Sequence, residues 1–198
     1  MVARPMAEFP EIWRELPAEN RHWLLTRALA ATAAINVAVN AAIAWLSVAD
    51  QGSVPMWGMP LVETSIFWNV IGTLFLLPSI TCVLTTTAIR RDIRLGALPP
   101  LSSLRSTHRW LAALPLPRWR RGALVGAMTV ALLAPPLILV LLAAGVSDLG
   151  EGQFVLCQTA FAVLLGIVVT PPIALSAMAD PPVAGGDRGG LLRHDPQP

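Results

Sequence analysis

The sequence predicts an all-α polytopic membrane protein, a four-helix transmembrane bundle, and three observations predict it. The chain of 198 residues is 55% hydrophobic and only 13% charged, with a mean hydropathy of +0.62. A soluble domain carries about 25% charged residues, so this chain lacks polar surface for a water-facing globule and takes lipid as its solvent. Four apolar stretches, at about 27–48, 61–89, 122–145 and 154–178, each reach the ~20 residues a helix needs to cross the hydrocarbon. All fourteen basic residues are arginines, and all fall on one side of the resulting weave.

The N-terminal segment 1–26 carries Arg4, Arg14 and Arg21, and Arg27 opens the first span. Ser47-Val48-Ala49 has the small-x-small form of a signal cleavage site. The leader is long, however, and holds Glu8, Glu11, Glu15 and Glu19, and the apolar stretch exceeds an h-region of ~7–15 residues, so the span is read as retained. Backbone groups find no water within lipid, so each span must be a helix. The second is long enough to tilt or to project beyond the headgroups. The connection 90–121 holds Arg90, Arg91, Arg94, Arg105, Arg109, Arg118, Arg120 and Arg121, and Arg188 and Arg193 follow the fourth span. The two remaining loops have no basic residue and carry Asp50, Glu63, Asp148 and Glu151. Arginine-rich loops stay inside, so both termini are expected to be cytoplasmic. The whole-chain pattern looks like the small four-helix membrane proteins of bacteria, which implies a multi-pass protein of the inner membrane. The tail 180–198 is rich in Pro and Gly, has little to bury, and is expected to be disordered.

The halves suggest two tandem two-span repeats. A shift of 94 places Gly72 over Gly166, Pro78 over Pro172, Phe67 over Phe161 and Arg27 over Arg121. Two-span repeats share one orientation and are related by an axis along the membrane normal.

In the connection, Leu101, Leu104, Leu111 and Leu114 recur at helical spacing, with Arg105 and Arg109 on another face and Trp110 beside them. This reads either as a short helix on the anionic inner leaflet or as loops whose arginines serve only as topology signals. Cys82 and Cys157 lie at different depths of spans that begin on the same side. A disulfide needs Cα atoms within about 7 Å, so both are read as small buried apolar residues.

The first span carries the most information. Ala30, Ala34, Ala38 and Ala42 form a ladder at intervals of four, which suits close approach of another helix. Thr32, Asn36 and Asn40 form a second ladder about 160–200° away at ~100° per residue. A bare amide in lipid costs several kcal/mol, so both sides of this helix should meet protein or a cavity. Asn40 and Asn69 both lie about 12 Å below the outer surface, which predicts that they bond to each other. The alternative is a polar site lined by Asn36, Asn40, Asn69 and Gln158. Gly122-x-x-x-Gly126 at the start of the third span is a helix-contact signal. Pro78, Pro135-Pro136 and Pro171-Pro172 interrupt three spans and are expected to kink them.

Catalysis finds almost no support. His22, His108 and His194 are scattered without Cys or carboxylate at metal-ligand spacing, and no phosphate loop, G-x-S-x-G or HExxH occurs, so no cofactor or metal is expected. No mid-span carboxylate or His points to proton or ion coupling, and a formal charge of +2 gives no reason to expect nucleic acid. Three functions remain. The first is a non-catalytic protein acting through helix–helix association, as a homo-oligomer or an accessory subunit. The second is a small transporter or permeation protein with a polar seam on spans one and two, and the third is a lipid-acting enzyme. A dry, amide-paired interior favours the first, and a mid-depth cavity favours the second.

Overall fold

The computed structural model describes residues 12–49, 51–59 and 63–181. Four helices are long and apolar enough to span a bilayer: α1 (Ala18–Val48), α2 (Ile66–Arg94), α5 (Arg118–Ala143) and α6 (Glu151–Met178). Two short helices, α3 (Ser102–Thr107) and α4 (Arg109–Ala113), lie in the connection between α2 and α5. Strands β1 (Ser53–Pro55) and β2 (Asp148–Gly150) pair antiparallel and tie the two loops of the acidic end together. Gly52 and Gly145 precede these strands with φ of 68° and 69°, a left-handed backbone that a side chain would strain.

The protein is therefore an all-α four-helix bundle of multi-pass membrane type. Its extensive interfaces run in the order α1–α6–α2–α5. α6 and α2 run parallel at the centre, while α1 lies antiparallel on α6 and α5 antiparallel on α2. This order is unchanged when the two halves are exchanged, as expected of two-span repeats about a membrane-normal axis. The fixed shift of 94 does not carry through, because loop lengths differ between the halves. Gly72 faces open space, whereas a Cβ on Gly166 would collide with the Asn36 amide.

Close packing is clearest between α2 and α5. A Cβ on Gly122 would sit 2.8 Å from the Ser79 carbonyl oxygen, and one on Gly126 2.6 Å from that of Phe75. The Ser79 hydroxyl, on the residue after Pro78 inside α2, lies 2.7 Å from the Phe75 carbonyl and 3.0 Å from that of Gly122. Tryptophans mark both ends of the bundle. Trp45, Trp57 and Trp68 are exposed at the acidic end and Trp119 at the arginine-rich end, where amphipathic rings match headgroup depth.

The arginine-rich end has its own core. Ile12, Leu16, Trp23, Leu24, Ile89, Leu98 and Met178 are buried together, with Leu101, Leu104 and Trp110 packed against them. The stretch 101–114 forms two short helices broken at His108, with Leu101, Leu104 and Trp110 packed against this core. Its apolar stripe covers the ends of α2 and α6, and Leu111 is fully buried. Arg105 turns inward as well. It pairs with Asp180 at 3.4 Å and donates to the Leu114 carbonyl at 2.8 Å, while Arg109 stays exposed. Asp180 is buried and belongs to this folded end, and the rest of the expected disordered tail, from 182 on, lies outside the described residues. Cys82 is buried and Cys157 exposed, both with free thiols, so the reading of Cys157 as buried is corrected. It sits on the outward face of α6.

Candidate functional site

α1 and α2 both pack on α6 rather than on each other, and a lateral groove of about 690 Å³ separates them. That volume lies within the ~300–1,000 Å³ of small-molecule sites. On the α1 side a row of Ala31, Ile35, Val39 and Ile43 lines it, and on the α2 side Leu76, Ile80, Leu84 and Ala88 recur at intervals of four. These residues are largely uncovered by protein: Ile35 is 57% exposed and Leu84 61%. The groove therefore opens sideways, towards the lipid.

Its uncharged polar lining runs along much of its length, and on α2 it includes Thr81 and Thr85 nearer the arginine-rich end. Thr32, Asn36 and Asn40 contribute from α1, Asn69 and Thr73 from α2, and Gln158 from α6. Asn40 and Asn69 do not pair. The Asn40 Nδ2 donates to the Asn36 carbonyl of its own helix at 3.0 Å, and the Asn69 Oδ1 accepts from Thr73 Oγ1 at 3.5 Å. The expected Asn40–Asn69 bond required α1 and α2 to be neighbours, and α6 is the neighbour of each.

The interhelical bond that does form links Gln158 Nε2 to Thr73 Oγ1 at 2.6 Å. Asn36 reaches the Ala162 carbonyl of α6 at 3.5 Å, and the missing side chain at Gly166 makes room for its amide. Thr32 lies half-buried beside it, its methyl 3.7 Å from the position of a Gly166 Cβ. These groups are uncharged and only partly satisfied by one another, so they retain capacity to bond an occupant.

At the arginine-rich end the groove meets charge. Asp92 accepts from the Trp23 indole at 2.8 Å and from Arg27 at 2.9 Å, and so spans the groove from α2 to α1. Leu24–Ala30, the part of α1 that bears Arg27, is π-helical, a conformation that recurs at functional positions. Arg91 also lines this mouth. The second half has a matching clasp, in which Arg121 of α5 pairs with Asp180 just beyond α6 at 2.6 Å. That clasp is buried and shared with Arg90 and Arg105, whereas Arg27 is 68% exposed. The repeat suggested by Arg27 and Arg121 thus recurs in their partners, with one clasp sealed and the other open.

The alanine ladder lies outside the groove. Ala30, Ala34, Ala38 and Ala42 are all exposed on α1, opposite the Asn36 face. Thr73, Arg91, Asp92 and Asp180 were not singled out by sequence reasoning. A usable signal existed for the two acids: Asp92 is the lone carboxylate of the 90–121 connection, and Asp180 the first after the fourth span. Among the described residues no three His, Cys, Asp or Glu side chains converge. Comparison with known proteins finds no matching family, no matching curated protein and no matching solved structure, so the groove must be read from its own chemistry.

Proposed function

We propose that this is a non-catalytic integral membrane protein that binds a bilayer-resident amphiphile in the α1–α2 groove, as a small transporter or permeation protein does. The observation that carries this reading is the separation of α1 from α2. A cavity with an amide and hydroxyl floor lies where a bundle built only for association would pair its amides. A sideways opening admits molecules already dissolved in lipid, apolar rows receive their chains, and uncharged polar groups orient them. The one-sided arginines support a cytoplasmic reading of the clasped end, and we read the membrane as the bacterial inner membrane with both termini inside.

The test is photolabelling of the full chain in liposomes with a diazirine-bearing fatty acid. Adducts are expected on groove residues such as Ile35, Ile80 and Leu84 in excess over Leu132 and Leu139 of α5, which are as exposed but do not line this groove. Gly72→Leu, which meets no protein atom at its Cβ, should fill the outer half of the groove and cut labelling there. Even labelling of α1, α2 and α5 would mean that the groove holds only annular lipid.

A second reading, association through α1, is favoured by the exposed Ala30, Ala34, Ala38 and Ala42, a face that lipid fills poorly and another helix fills well. It uses the opposite side of α1 and is compatible with an occupied groove.

A further inference from the structure

We infer that the clasped half of the groove holds an anionic phospholipid from the arginine-rich leaflet, its phosphate at Arg27 and Arg91 and an acyl chain along α2. The inference rests on the groove reading and names the ligand class. Three observations on different parts of the molecule carry it.

The first is charge. Two guanidiniums and one carboxylate, those of Arg27, Arg91 and Asp92, line this mouth, leaving one net positive charge at headgroup depth. Arg27 gives Nη1 to Asp92 and is otherwise 68% exposed, and no partner is found for the Arg91 guanidinium among the described residues. Basic pockets between transmembrane helices are where anionic headgroups bind, and guanidinium forks match phosphate oxygens.

The second is length. From Arg91 the apolar row Ala88, Leu84, Ile80 and Leu76 runs along α2 without an ionisable group, facing Ala31 and Ile35 across the groove. Fifteen residues of helix cover about 22 Å, most of one ~30 Å hydrocarbon core and enough for an extended acyl chain. Asn69 and Thr73 lie beyond the end of such a chain, while Thr32, Asn36, Thr81 and Thr85 lie alongside it.

The third is asymmetry between the halves. The Arg121–Asp180 clasp is sealed by Arg90, Arg105 and the carbonyl of Pro115, so its arginine has nothing left to offer. In the Arg27–Asp92 clasp one carboxylate faces one exposed arginine and leaves a second, Arg91, without a partner among the described residues. Asp92 is then a competitor for the phosphate as well as a tie between helices.

The experiment is native mass spectrometry of the full chain with added dioleoyl phosphatidylglycerol or phosphatidylcholine. Phosphatidylglycerol should be retained about tenfold more strongly. Arg27→Gln and Arg91→Gln should each weaken that retention about fivefold, the factor for one arginine near an anionic headgroup. Asp92→Asn should strengthen it, an outcome that a purely structural Asp92 would not give. Arg118→Gln with Arg120→Gln, exposed arginines outside the groove, should leave it unchanged. Equal retention of both lipids, equal loss in the Arg118/Arg120 control, or displacement by inorganic phosphate alone would each overturn the lipid assignment. If diazirine labelling of the groove persists without headgroup preference, only this inference falls. If labelling is lost as well, the groove reading falls with it.

Discussion

Replacing Asp180 with Asn tests whether the arginine-rich end is held by a buried charge or merely decorated with surface ions. In the protein the Asp180 carboxylate accepts from Arg121 at 2.6 Å, Arg90 at 2.9 Å and Arg105 at 3.4 Å. Arg121 has a side-chain exposure of 0%, and its remaining nitrogens reach the Pro115 carbonyl and the Ser176 hydroxyl. The amide of Asn keeps an acceptor but removes the charge, leaving three guanidiniums around a neutral group and one of them fully desolvated. Breaking a buried pair in this way costs about 3–5 kcal/mol. At roughly 2–4 °C per kcal/mol for a chain of this size, thermal unfolding of the detergent-purified variant should fall by on the order of 10 °C. Asp92→Asn is the internal control. Its partner Arg27 is 68% exposed, so the loss should stay within about 1 kcal/mol. Arg121→Met with Asp180→Leu should regain part of the loss, since apolar replacement of both buried partners is often near neutral. Equal shifts for Asp180→Asn and Asp92→Asn would refute the claim that one clasp is structural and the other exposed.

Three further outcomes are expected. Gly126→Leu should destabilise the fold by more than about 2 kcal/mol, because its Cβ meets the Phe75 carbonyl and forces α5 from α2, whereas Gly72→Leu should unfold at or above the wild-type temperature. Ala34→Leu with Ala38→Leu should change protomer stability by no more than about 0.5 kcal/mol per site, since both are exposed. Any helix association through that face should appear as a loss of oligomer mass in light scattering. Reporters at the N-terminus, beside Arg109 and at the C-terminus should all read cytoplasmic, and tags near Gly52 or Gly150 should be reached from outside; opposite locations for the termini would show a miscounted span.

The sequence by itself determined the solvent, the number of spans and their alternation, because bilayer thickness imposes a length on every apolar segment and a one-sided arginine distribution follows from insertion. It also marked Gly122, Gly126, Asn36 and Asn40 as residues unsuited to open lipid. It could not assign their partners. Depth along the normal is legible from residue counting, but which helix neighbours which is a matter of lateral order, and that is set by small differences in packing between faces. The placement of α1 and α2 on α6 rather than on each other opened the groove and separated Asn40 from Asn69. The same lateral order brought Thr73 to Gln158 and closed Gly166 over Asn36. At the arginine-rich end, residues 101–114 had the spacing of a surface helix, but the core beneath them includes Ile12, Leu16 and Met178 from distant parts of the chain. An apolar stripe is satisfied equally by lipid or by protein, and only the tertiary structure decides which one covers it.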